Sequence, residues 1–137
     1  MVQKSVTVDG RSWPYLEGGD PAKPLLLLVH GFAGDKDNWS MIAPYLTRDY
    51  HVIAPDLRGH GDSDWATDGD YLLDAFGRDV EHLISHFDQP ATLVGASRGG
   101  QAALVGGSRH PDRVRLIMLA DVAPMMRDDG VDGIREF

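Results

Sequence analysis

Apolar residues along this chain come in short blocks of two kinds, and the kind changes from block to block. Val6–Val8 and Trp13–Leu16 are brief and are punctuated by Asp9-Gly10 and Gly18-Gly19, so they predict an antiparallel hairpin at the start. Leu25-Leu26-Leu27-Leu28-Val29 is unbroken and of strand length, the pattern of a strand covered on both faces. Asn38–Thr47 reads as helical. His51–Ala54 is a second buried strand, closed by Pro55, and a polar, glycine-rich loop runs from Asp56 to Asp70. Leu72, Leu73, Phe76, Val80, Leu83, Ile84 and Phe87 recur at helical spacing and predict an amphipathic helix over 71–87.

The alternation continues towards the end of the chain. Ala91–Val94 is a third buried strand ending at a glycine, Gln101–Arg109 a helix of small residues stopped near His110-Pro111, and Val114–Ala120 a fourth buried strand. Strand–helix–strand repetition implies right-handed crossovers, and hence an α/β fold: a mostly parallel sheet with helices on both faces. The last residues, Asp132 to Phe137, read as the opening of another helix with no closing strand after it. The expectation is therefore one part of a longer protein, with a second polypeptide fragment of that protein as partner.

Composition narrows the function classes. The 137 residues suffice for one domain with a hydrophobic core, and 42% hydrophobic with 25% charged residues is ordinary for a globular chain. A formal charge of −8 with no basic patch speaks against a nucleic-acid partner. The absence of cysteine excludes disulfides, thiolate metal sites and cysteine nucleophiles. No signal-peptide core opens the chain, and its longest aliphatic run, Leu25–Val29, falls far short of the ~18 residues of a membrane helix. A cytoplasmic protein with no membrane contact is the expectation, and the sequon Asn38-Trp39-Ser40 is taken as chance.

Gly95-Ala96-Ser97-Arg98-Gly99 fits G-x-S-x-G where a buried strand meets a small-residue helix, the setting of a nucleophile elbow. Ser97 must take a strained backbone so that its hydroxyl stands above the sheet, and side chains two positions to either side would clash with so tight a turn. A helix N-terminus beside the serine favours developing negative charge. The blander reading is a Ser/Gly turn that merely caps a helix. His30-Gly31-Phe32-Ala33-Gly34 follows the first long strand, and it can turn a backbone N–H towards the serine. The amides of Phe32 and Arg98 are therefore candidates for an oxyanion hole. His30 is read as ordering this loop in preference to acting as a base. Asp56-Leu57-Arg58-Gly59-His60-Gly61-Asp62-Ser63-Asp64 is read as a hydrogen-bonded turn bracing the same rim. It matches no EF-hand spacing, and His60 has no histidine four residues on, so no metal site is expected.

With H-G-F-x-G, D-L-R-G-H-G-x-S-D and G-x-S-x-G-G in that order, the chain resembles the N-terminal part of an α/β-hydrolase of the capped esterase and lipase type. The resemblance covers essentially the whole chain. It implies a hydrolase core over 1–124, with Leu119-Ala120-Asp121-Val122-Ala123-Pro124 resembling the exit towards a cap that begins over 125–137. It implies further a serine hydrolase cleaving a small-molecule carboxylic ester or related acyl bond (lactone, thioester or C–C) without a cofactor. Serine at position 97 points away from the family's epoxide hydrolases and haloalkane dehalogenases. In the family the order is Ser…Asp/Glu…His. After Ser97 stands only His110, at the far end of the helix, where it suits a C-cap. The base, and with it the usual acid, is expected beyond Phe137. Asp121 is an alternative acid, since some relatives carry theirs at the end of this strand, but it reads first as a structural turn. A non-catalytic ligand-binding module and an inactive fragment are the competing readings.

Overall fold

The computed structural model describes residues 1–8 and 10–122. Six strands, β1 (Val2–Val8), β2 (Arg11–Gly18), β3 (Leu25–Val29), β4 (His51–Pro55), β5 (Ala91–Ala96) and β6 (Val114–Ala120), form one sheet in the order β1-β2-β4-β3-β5-β6. The expected hairpin is β1–β2, in antiparallel register from Val2 opposite Glu17 to Val8 opposite Arg11. β2 runs antiparallel to β4, whereas β4, β3, β5 and β6 are mutually parallel. All four parallel strands therefore deliver their C-terminal ends to one edge of the molecule, the edge where open α/β sheets bind ligands.

The unbroken apolar run of β3 follows from burial on both faces. Leu25, Leu27 and Val29 pack with Ile53 and Leu93 against Phe76, Val80, Leu83 and Ile84 of α2 (Leu73–Phe87) and Ala102 and Ala103 of α3 (Arg98–Ser108). Leu26 and Leu28 turn the other way, joining Val52, Ala54, Trp39 and Ala43. Each buried leucine contributes about 1.5–3 kcal/mol of transfer free energy, so β3 is the main apolar anchor of both layers. Among the described residues, no helix is long and apolar enough to cross a membrane.

Four local expectations need correcting. The helix expected over Asn38–Thr47 is a 3-10 turn, Lys36–Trp39, followed by the short α1, Ala43–Leu46. Pro44 cannot donate a backbone hydrogen bond, so it can open α1 but cannot continue an earlier helix. α2 begins at Leu73, two residues later than expected. Here the preceding residues belong to the loop: the Tyr71 hydroxyl accepts from Ala66 N–H, and the Asp70 carbonyl accepts from Arg58. α3 begins earlier, at Arg98, because Gly99 and Gly100 are helical despite their weak propensity. Finally, β6 is not a buried strand. Among the described residues it lies at the sheet edge, and although Ile117 packs against the α2–α3 layer, Leu116 and Met118 on its other face are each 53% exposed. The apolar pattern was that of an interior strand, but among the described residues β6 has β5 as its sole neighbour in the sheet. The expected start of a cap over 125–137 lies outside the described residues.

Candidate active site

Ser97 stands between β5 and α3 as the N-cap residue of α3, with φ 47° and ψ −119°, a conformation that side chains rarely adopt. Its side of the turn is solvent-exposed. The turn is held from below, because Ser97 N–H donates to the Ala120 carbonyl at 3.0 Å and the Ser97 carbonyl accepts from Gly100 and Gln101. Both flanking glycines are sterically required. A Cβ on Gly95 would fall 2.5 Å from Gly100 Cα, and one on Gly99 would fall 2.2 Å from the His30 carbonyl oxygen. The strained serine is therefore imposed by close packing of β3, β5 and α3, not by the local sequence alone. Arg98, as the first residue of α3, has an N–H with no intrahelical acceptor.

The loop after β3 reaches the same place. Gly31 lies against the elbow, where a Cβ would sit 3.2 Å from Ser97 Cβ. Gly34 N–H donates to the Gly31 carbonyl at 3.1 Å, and Ala33 sits at φ 58°, so residues 31–34 form a tight turn with Phe32 71% exposed at its tip. His30 orders this loop. Its Nε2 accepts from Leu57 N–H at 3.0 Å, which leaves the proton on Nδ1 to be donated to the Gly31 carbonyl at 2.8 Å. Burial lowers its pKa below that of an ordinary histidine, and with both ring nitrogens occupied it is not free to act as a base.

The loop after β4 braces the rim as expected, and does so with buried charge. The fully buried Asp56 carboxylate accepts from Lys36 N–H at 2.7 Å, Lys36 Nζ at 2.9 Å and Asp62 N–H at 2.9 Å. Gly61 sits at φ 52°, where a Cβ would come 2.4 Å from that carboxylate. Lys36 Nζ also reaches Asp62 at 2.9 Å. Below them Arg58 grips Asp79 of α2 with two hydrogen bonds, the one from Nε at 2.6 Å, both residues being buried. His60 lies with its ring centroid 5.2 Å from His30, 6.2 Å from Phe32 and 6.0 Å from Phe76. The Arg98 guanidinium lies 6.0 Å from the Phe76 centroid, so these rings tie the two loops to the elbow.

The structure brings together Ser97, Arg98 and the Phe32 turn. Asp121 stands just beyond β6, exposed and at φ 55°. Its neighbours touch the elbow: Ala120 bonds Ser97, and a Cβ on Gly100 would meet Val122. His110 is set apart, past the C-terminal end of α3 and 3.3 Å from Glu81 of α2. Two features were missed in the sequence. Asp79 was detectable as a carboxylate on the apolar stripe of α2, three residues after Phe76. Lys36, flanked by Asp35 and Asp37, carries no comparable signal. Among the described residues, no group of three or more His, Asp or Glu side chains is arranged to hold a metal ion.

A strained serine at a strand-to-helix turn, faced by a glycine loop from the neighbouring strand, is the site architecture of a large hydrolase class. A family model described as the alpha/beta hydrolase fold matches residues 24–133, and the chain belongs to that family. It is 35% identical over 123 residues to Lipase 1 of Psychrobacter immobilis, an alignment covering 88% of this chain and 38% of that one. Among solved structures, an alpha/beta hydrolase from Novosphingobium aromaticivorans superposes with a TM-score of 0.88 at 27% identity, covering 99% of this chain and 49% of that chain. Epoxide Hydrolase A from Mycobacterium thermoresistibile superposes with a TM-score of 0.75 at 29% identity, over 82% of this chain and 36% of that chain. The chain thus spans less than half the length of each of these proteins.

Proposed function

We propose that this chain carries the nucleophile and oxyanion hole of a serine hydrolase that cleaves a carboxylic ester or related acyl bond. The observation that carries the reading is Ser97 itself, held at φ 47° on the elbow with the Gly31–Gly34 turn against it. Ser97 Oγ attacks the acyl carbon and its proton passes to a histidine base, while the carbonyl electron pair moves onto oxygen. The N–H groups of Phe32 and Arg98 stabilise that oxyanion. Collapse expels the alcohol, which takes the proton back from the base, and a water molecule repeats the sequence on the acyl-enzyme. The base is assigned to the remainder of the protein, since His30 is committed to its loop and His110 to Glu81. The likeness to a lipase supports acyl chemistry, and serine at position 97 supports it over epoxide opening through a carboxylate ester.

The test uses the complete protein and a fluorophosphonate probe. Ser97→Ala should abolish labelling and leave the fold intact, while Ser63→Ala and Ser108→Ala should label normally. Labelling that persists in Ser97→Ala removes Ser97 from the mechanism. The same assay series places the triad acid. Asp121→Asn should lower kcat less than about tenfold if the acid lies elsewhere, and by about 10⁴-fold if Asp121 is the acid. The smaller effect is expected.

A further inference from the structure

The Phe32 turn has no regular secondary structure to hold it, yet an oxyanion hole works only if its donors are fixed before charge develops. The structure fixes this turn at both ends, and both anchors belong to the loop after β4. At the leading end, His30 Nε2 takes the Leu57 N–H. At the trailing end, Lys36 binds Asp56 twice, through its backbone N–H at 2.7 Å and its ammonium at 2.9 Å, and the ammonium reaches on to Asp62 at 2.9 Å. Between these anchors lie only residues 31–35. Lys36 is 3% exposed and Asp56 fully buried, so the ion pair is shielded from competing water, whereas the Asp62 side chain is 64% exposed. Burial alone would penalise the ammonium. The hydrogen bonds to Asp56 and Asp62 override that penalty and hold the Lys36 pKa above the usual lysine value.

We propose that Lys36, paired with Asp56, is a positioning residue for the reaction: it holds the Gly31–Asp35 turn so that the Phe32 N–H points at the developing oxyanion. The inference rests on the serine-hydrolase reading of Ser97. An amide displaced by about 1 Å would still allow the substrate to bind, but would stabilise the tetrahedral intermediate less. Removing the lysine therefore acts on kcat, where loss of a binding contact would act on KM. A residue with a purely structural role would lower the melting temperature and leave the kinetics of the folded enzyme alone.

In the complete protein, Lys36→Met is measured with p-nitrophenyl butyrate and with phenylboronic acid, which forms an anionic tetrahedral adduct on an active serine. The folded variant should lose about 10- to 100-fold in kcat, keep KM within about twofold, and bind the boronic acid weaker by a factor similar to its loss in kcat. An unchanged kcat with an unchanged boronic acid affinity overturns the proposal, and so does a raised KM at constant kcat. If Lys36→Met does not fold, Lys36→Arg decides, because it keeps a charge for Asp56 while its longer, planar head shifts the turn that the ammonium holds. A fall in kcat of about threefold at constant KM and constant melting temperature supports the role, and an unchanged kcat overturns it. Ser97→Ala is run alongside. Turnover retained in that variant overturns the serine reading and this inference together, whereas turnover lost in Ser97→Ala but kept in Lys36→Met overturns this inference alone.

Discussion

The two ends of the parallel sheet are built on different terms. At the C-terminal ends of β3, β4, β5 and β6 the backbone is held in costly conformations, with positive φ at Ala33, Ser97 and Asp121, and three charged residues are packed away from water at Lys36, Asp56 and Arg58. At the opposite end one non-glycine residue, Asp88 at the C-cap of α2, also has positive φ (45°), and exposed or partly exposed ion pairs take the place of the buried charge cluster. The buried His51 ring bonds Glu17 at 2.7 Å, Glu17 also meets Lys4, and Arg113 reaches Asp88 at 3.0 Å. The two ends differ in degree: three strained non-glycine residues and a buried charge cluster at the first, one strained cap and simple pairs at the second. Changes at the two ends should then separate cleanly into effects on rate and effects on unfolding.

The largest effect expected is at the elbow. Ser97→Gly in the complete protein should lower kcat by about 10⁶-fold, the scale set by loss of a serine nucleophile. The same change releases a φ of 47°, so urea unfolding should show the variant more stable by about 1 kcal/mol. A variant that is both inactive and clearly destabilised would break the contrast, because the strain would then not be what the serine position costs. Second in size is the far end. His51→Leu removes the bonds to Glu17 and Gln89, and should lower stability by about 1–2 kcal/mol while leaving kcat within about twofold of wild type. A large fall in kcat there would show that the two ends are energetically coupled.

The acid side of the stability curve gives the finest test. Burial lowers the pKa of His30, so the unfolded chain takes up its proton first, and the contribution is fully present above about 6.5 and is lost as pH falls below that value. For Glu17, burial works upward, but the hydrogen bonds from Lys4 and His51 bring its pKa below the ordinary 4.5, so its contribution is lost only as pH falls beneath that point. Melting temperatures should therefore decline in two stages. His30→Gln should flatten the upper stage, which belongs to the site end, and Glu17→Gln should flatten part of the lower one. Asp49, Asp62, Asp68 and Asp74 share the lower stage, because their pKa values are lowered as well. If His30→Gln left the upper stage as steep as before, the neutral histidine would not be the group that titrates.

The same division explains what the sequence made legible. The strands and α2 were readable because periodicity reports burial, and burial is what those residues do. The elbow was readable because Gly95 and Gly99 are tied to Ser97 by steric need. Lys36 was not, since its partners Asp56 and Asp62 are 20 and 26 residues away and only the fold brings them together. The break at Pro44 is written in the residue itself, but the helical pattern on both sides of it masks the signal. β6 is the converse case: its residues are those of an interior strand, although among the described residues it has one neighbour, and no local signal states which neighbours a strand will have.

That strand has a consequence for how copies of this chain meet one another. β1, at the other margin, carries Lys4 and is polar and exposed along most of its length, features that discourage a second chain from adding to it. The stretch Leu116-Ile117-Met118-Leu119-Ala120 has no charge and no proline, and among the described residues it pairs with another strand on one side only. A copy whose β6 stands uncovered offers a template on which a second copy can add a strand. The yield of soluble protein then becomes a race between covering this edge and meeting another copy, and that race is lost as concentration rises.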